Sequence, residues 1–145
     1  MFKEYKPDKE GIFLPPIEVK EHPAKGYICV AATDIDRGTL IERCPTIKLD
    51  KDMMKDLFSL VESRTYLHDY VFCHSPKGFY YWAMGYGGIY SHSSNPNAKW
   101  RITYHPNGRE TVDIRAIRDI AKGEEITYAY MIKNSTELLW FDPVE

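Results

Sequence analysis

Gly85-Tyr86-Gly87-Gly88-Ile89-Tyr90-Ser91-His92-Ser93-Ser94-Asn95-Pro96-Asn97 runs three glycines into a polar turn with a histidine embedded in it. Core strands and helices avoid that composition, since glycine weakens both elements and lets a backbone approach a ligand closely. A second stretch of the same character is Gly123-Glu124-Glu125-Ile126-Thr127-Tyr128-Ala129-Tyr130, where strand alternation turns both tyrosines to one face. The same alternation sends Glu124 and Glu125 to opposite faces, which favours turn and ion-pair roles over a shared proton. Lys25-Gly26-Tyr27, entering a strand, is a third and weaker signal of this kind.

Around these stretches the pattern is one of short strands. Residues 27–32 read as a buried strand, 34–38 as a turn, and 39–43 as a strand alternating apolar with polar. Asp50 or Asp52 can cap a helix whose Met53, Leu57, Leu60 and Val61 recur at helical spacing and form a core stripe. Tyr70-Val71-Phe72 and Phe79-Tyr80-Tyr81 flank a turn at Pro76-Lys77-Gly78, and residues 100–104 and 110–114 flank Asn107-Gly108, whose positive φ suits a hairpin. The proline-rich residues 1–24 read as an extended lead-in. Ala31, Asp34, Ile35, Arg37, Gly38 and Ile41 recur as Ala116, Asp119, Ile120, Lys122, Gly123 and Ile126, a constant separation of 85 residues. Six matches describe two similar strand-turn-strand units; they are too few to establish a duplication.

Composition narrows the function. At 145 residues the chain suits one domain with a core of its own, and a net charge of −2 gives no basic footprint for nucleic acid. No apolar run approaches the roughly 18 residues of a membrane span, and the charged start lacks the apolar stretch of a signal peptide. The expected location is therefore cytoplasmic, or, for a viral source, the host cytoplasm or nucleus. Cys29, Cys44 and Cys73 are widely spaced, which argues for reduced thiols and against a cysteine metal site.

Taken in order, the stretches resemble the SET domain of protein lysine methyltransferases, which carry Asn-His-Ser-x-x-Pro-Asn and, after a hairpin, Gly-Glu-Glu-Leu/Ile-Thr-x-x-Tyr. The counterparts here are Ser91 to Asn97 and Gly123 to Tyr130, joined by Gly26-Tyr27 and Asp69-Tyr70-Val71-Phe72. The likeness spans about residues 20–130 and is greatest to minimal viral and bacterial members. It implies a mainly β fold of the β-clip type, with several small sheets, a C-terminal pseudoknot and one or two short helices. The implied division is a lead-in over 1–24, the SET domain over 25–131, and a tail over 132–145 that covers the site.

By the same resemblance the cofactor is S-adenosylmethionine, held by Lys25, Gly26, Tyr27, Gly88, Ser91, His92 and Trp140. The substrate-lysine channel takes Tyr27, Tyr90 and Trp140, and the catalytic residues are Tyr130, Tyr70 and Tyr128, with Tyr130 as the steering hydroxyl. No metal is implied. The partner is a protein with an accessible lysine, a histone or another basic protein among the candidates, with neither nucleic acid nor membrane bound directly; small members sometimes complete their site as homodimers. These residue types suit the chemistry independently. A lysine amine, with a reference pKa of about 10.4, becomes nucleophilic when an aromatic channel disfavours its charge. Tyrosines are also ordinary strand residues, and a histidine such as His92 is more often structural than a general base.

Two positions depart from the family pattern. Ser91 replaces its Asn, losing a carboxamide that both donates and accepts, and Ile28 stands in place of its second Gly. Both changes fall on the cofactor side, so a noncatalytic SET-like protein-binding module is the alternative to the enzyme. The retained tyrosines weigh toward the enzyme. Tyr128 stands where family members with Tyr tend to stop at monomethylation, since its hydroxyl can hold a water that a second methyl must displace.

Overall fold

The computed structural model describes residues 14–59, 71–74 and 78–130. Within them the chain is mainly β. A first hairpin pairs β1 (Ile17–His22) with β2 (Gly26–Ala31). A five-stranded antiparallel sheet then takes β3 (Leu40–Leu49), β4 (Val71–His74), β5 (Phe79–Ala83), β7 (Ala98–Tyr104) and β8 (Glu110–Ala116), in the order β4-β5-β3-β8-β7. Between β5 and β7 lies the two-residue β6 (Ser91–His92), which pairs in parallel with the C-terminal β9 (Thr127–Tyr128). The single described helix, α1 (Lys51–Ser59), follows β3; it is too short to cross a membrane.

Part of the expected lead-in is sheet. Pro15 and Pro16 stand before β1 and Pro23 lies in the turn after it, so none of these three takes a position in the β1–β2 ladder. Residues 1–13 lie outside the described residues. Asp50 is the helix cap: its Oδ1 accepts the Met53 N–H at 2.8 Å. Met54, 2% exposed, fills the buried position of the first turn, whereas Met53, expected there, is 51% exposed. Leu60 and Val61 lie outside the described residues.

In β3 the expected alternation fails. Leu40 pairs with Arg115 and Glu42 with Ile114, leaving Ile41 as an extra residue in a β-bulge. The bulge breaks the period of two, and Ile41 and Glu42 are both buried. Beyond it Arg43 points away from the core and grips Asp113 of β8 through two hydrogen bonds, 3.1 and 3.0 Å. The β7–β8 hairpin forms at the expected place, but Pro106 and Asn107 are the central pair of its turn: the Gly108 N–H reaches the His105 carbonyl at 3.0 Å, and Gly108, at φ +80, supplies the positive φ just after them. Pro106 at the second turn position favours that geometry.

The two units 85 residues apart clasp each other reciprocally. Ile35 and Ile120 exchange both backbone hydrogen bonds at 2.8 Å. The Arg37 N–H donates to Asp119 Oδ1, and its counterpart, the Lys122 N–H, donates to Asp34 Oδ1, each at 2.8 Å. Gly38 reaches the carbonyl of Ala116 as Gly123 reaches that of Ala31, at 2.8 and 2.7 Å. Each Asp thus caps the other unit's turn, and the repeat is a local two-fold. The core is built from Cys29, Ile41, Tyr81, Tyr90, Val112, Ile114, Ile120 and Ile126, all essentially sealed from solvent.

Candidate active site

The β6–β9 pairing sets Ser91 opposite Thr127 and His92 opposite Tyr128, so the glycine-rich stretch and the C-terminal tyrosines form one site. Asn97 fastens the crossing. Buried to 2% exposure, it accepts the Thr127 N–H on Oδ1 at 2.9 Å and donates from Nδ2 to the Glu125 carbonyl at 2.7 Å. One carboxamide thus satisfies two backbone groups of the incoming segment, which a side chain that only accepts or only donates cannot do.

Tyr128 and Tyr130 lie on the same side, ring centres 5.6 Å apart, with Tyr90 5.8 Å from Tyr128 and Phe72 5.9 Å from it. The Tyr128 hydroxyl donates to the Gly87 carbonyl at 2.8 Å, and the Tyr130 hydroxyl to the Tyr90 carbonyl at 3.1 Å. Burial pushes the phenols of Tyr128 and Tyr90 well above their ordinary pKa, so both remain neutral donors. His92 packs 5.2 Å from the Tyr130 ring and its Nδ1 accepts the Tyr130 N–H at 3.0 Å.

The other expected residues divide. Ser91 is buried and Gly88 half-buried beside this cluster in sequence. Lys25 lies against the C-terminal segment with its ammonium 3.0 and 3.2 Å from the two Glu125 carboxylate oxygens, while Glu124 accepts the Ala121 N–H at 3.0 Å, the separate roles expected of adjacent strand residues. Gly26, at φ +82, has nothing within 4 Å of where a Cβ would stand. It shares an open depression of about 540 Å³ with Glu21, His22, Pro23 and Tyr27, and Tyr27 is 62% exposed, unlike the enclosed Tyr90 and Tyr128. Ile28 is a buried strand residue of β2. Tyr70, Trp140 and the tail over 132–145 lie outside the described residues.

With this geometry in place, comparison with known proteins is decisive about kinship. The family model of the SET domain matches residues 26–131. The chain belongs to the SET domain family. Over 131 residues this SET domain chain is 25% identical to the H3 lysine-37 specific histone-lysine N-methyltransferase of Schizosaccharomyces pombe, spanning 90% of this chain and 80% of that protein. Its fold matches a Plasmodium falciparum crystal structure solved as a candidate histone methyltransferase, with TM-score 0.66, 24% identity, and coverage of 84% of this chain and 98% of the other. It also matches ctPRC2 in an autoinhibited conformation bound to S-adenosylmethionine, with TM-score 0.68 and 20% identity over 87% of this chain and 16% of that one.

One buried group was missed from sequence. Glu42, 4% exposed, lies under the glycine-rich turn and accepts hydrogen bonds from the Tyr86 N–H at 2.8 Å, the Tyr90 hydroxyl at 3.1 Å and the Cys44 thiol at 3.3 Å. Little in the sequence signals it, since Glu42 falls at a polar position of the expected alternation in a strand that also carries Arg43, Thr46 and Lys48. Cys29 and Cys44 are free, buried thiols; burial, with Glu42 adding to it, raises Cys29 to about 12 and Cys44 further.

Proposed function

We propose that this SET domain transfers a methyl group from S-adenosylmethionine to the ε-amine of a lysine in a protein, with a histone or another basic protein as substrate. The observation that carries this reading is Tyr130, held at both ends: its N–H on His92 and its hydroxyl on the Tyr90 carbonyl. A phenol fixed in this way can steer a reacting group without reorganising. Similarity to a histone-lysine methyltransferase over most of both chains supports the substrate class.

The residues present fit the cofactor. Gly26 leaves its backbone bare, and the Lys25 charge beside it is already balanced by Glu125, so a sulfonium cation meets no uncompensated positive charge there. Ser91 and His92, on the strand paired with that of Tyr128, would hold the amino-acid end. When bound, S-adenosylmethionine supplies an electrophilic methyl carbon on a sulfur that leaves as a neutral thioether. The chain's own part is to strip water from the lysine amine among Tyr90, Tyr128 and Tyr130, favouring its neutral form, and to keep the attack in line. The amine gives its proton to solvent before attack, since an ammonium nitrogen has no lone pair, and the buried phenols of Tyr90 and Tyr128 stay neutral beside it.

Calorimetric titration with S-adenosylhomocysteine tests the reading on the wild type, Tyr130→Phe and Ser91→Asn. One-to-one binding, tighter in Ser91→Asn, is expected, followed by radiolabel transfer to histone or other basic proteins. No binding by any of the three at millimolar ligand would leave a protein-binding module instead.

A further inference from the structure

The glycines of the 85–88 turn are explained by what lies beneath them. A Cβ on Gly85 would stand 2.8 Å from Glu42 Oε1, and one on Gly87 would stand 2.6 Å from the Ala83 Cβ and 3.1 Å from the Cys44 sulfur. The turn is therefore pressed onto Glu42 and its neighbour. Glu42 in turn reaches both ends of it: Oε1 accepts the Tyr86 N–H and Oε2 accepts the Tyr90 hydroxyl. Between those two anchors lie the Gly87 carbonyl, and at the second anchor the Tyr90 carbonyl, which receive the hydroxyls of Tyr128 and Tyr130.

We infer that Glu42 is a positioning residue of the methyl-transfer site, clamping the 85–90 turn so that the carbonyls of Gly87 and Tyr90 aim the hydroxyls of Tyr128 and Tyr130. The inference rests on the proposed lysine methyltransferase activity. A buried carboxyl is an expensive way to fill space in a core strand, and an apolar side chain would pack there without needing partners. What it does that no apolar residue can is join a backbone N–H and a phenol four residues apart through one rigid group. Its effect on chemistry is indirect, through two carbonyls, so its loss changes alignment rather than ligand affinity.

The test compares Glu42→Leu with Glu42→Gln, since Gln keeps one oxygen for the Tyr86 N–H and an amide to which the Tyr90 hydroxyl can turn as acceptor. In Glu42→Leu, kcat is expected to fall about 10- to 100-fold, the cost of a small misalignment. The peptide KM and the S-adenosylhomocysteine Kd stay within about threefold of wild type, and Glu42→Gln recovers most of the lost kcat. In parallel, NMR of ring-labelled tyrosines is expected to show the Tyr128 and Tyr130 signals displaced in Glu42→Leu and restored in Glu42→Gln. A folded Glu42→Leu protein with wild-type kcat and unmoved tyrosine signals overturns the proposal, as does equal loss of kcat in both variants without signal changes. Should Glu42→Leu not fold, Tyr90→Phe removes one donor from the clamp, and an unmoved Tyr130 signal there overturns it too. If the wild type transfers no methyl group to any protein, the enzyme reading fails, while the NMR comparison still decides the clamp.

Discussion

His92 and Tyr130 are joined by a 3.0 Å hydrogen bond from the Tyr130 N–H to Nδ1 of the imidazole, 38 residues apart in the chain. The bond requires Nδ1 without a proton, so the neutral ring carries its hydrogen on Nε2. The histidine, read from sequence as structural rather than as a general base, holds the backbone of Tyr130.

Replacing that acceptor should expose its value. His92→Ala leaves the Tyr130 N–H without its partner and is expected to cost about 1–3 kcal/mol, whereas Asn can present Oδ1 near the position of Nδ1 and should cost less. Urea unfolding of both variants reads the difference; equal loss in the two would show that the ring's packing, not the hydrogen bond, matters.

Tyr130→Phe removes a half-buried hydroxyl and little volume. Stability is expected to drop by no more than about 1 kcal/mol, while methyl transfer falls by roughly 100-fold. Thermal melts beside steady-state kinetics separate the two, and unchanged kcat would remove Tyr130 from the steering role.

Tyr128→Phe deletes the hydroxyl bonded to the Gly87 carbonyl at 2.8 Å in a fully enclosed position. The wild type is expected to yield mainly monomethyl-lysine, and the variant to shift product toward dimethyl, because the space and the water site of the hydroxyl open to a second methyl group. Mass spectrometry of the product peptide decides; a wild type producing mainly trimethyl-lysine sinks the assignment.

Asn97→Ala strips two backbone groups of the C-terminal segment of their partner. The expected cost is about 2–4 kcal/mol, since each buried group left unpaired carries a desolvation penalty. S-adenosylhomocysteine binding should weaken with it. A denaturation midpoint within error of wild type would show that β6 and β9 hold together without this fastening.

Two buried carboxyls should act on stability with opposite sign. Burial raises Glu42, against the hydrogen bonds from Tyr86, Cys44 and Tyr90, and its native pKa lies above the ordinary value. Burial alone would raise Asp113 as well, but hydrogen bonds from Arg43, Thr111 and Thr103 outweigh it and hold Asp113 low. Glu42 therefore subtracts stability as pH rises from the ordinary glutamate value of about 4.3 through its raised native pKa. Asp113 contributes stability that is complete above about 3.9 and lost as pH falls through its lowered native pKa. Unfolding free energies across pH should show Glu42→Gln without the decline at the higher end and Asp113→Asn without the loss in acid; profiles parallel to wild type would refute the linkage.

How much of this was legible beforehand depends on distance along the chain. Turn chemistry works within a few residues, so Asp50 at the helix start and Gly108 in the β7–β8 hairpin could be read directly, and two ordered motifs identified the family. The phase of α1 and the facing of Glu42 could not. Met54 displaces Met53 because the cap sits at Asp50, and one extra residue, Ile41, overrides the alternation of β3.

Sequence by itself therefore determined the strand and turn inventory and the types of side chain available for chemistry, because these follow from backbone preferences and local hydrogen bonds. Only the tertiary structure decided which of them meet. The parallel pairing of Ser91 with Thr127, the reciprocal clasp of Ile35 and Ile120, and the reach of Glu42 to Tyr90 join segments far apart in the chain. Such contacts form only when burial of the shared core compensates the entropy of closing the loops between them, and no local pattern encodes that balance.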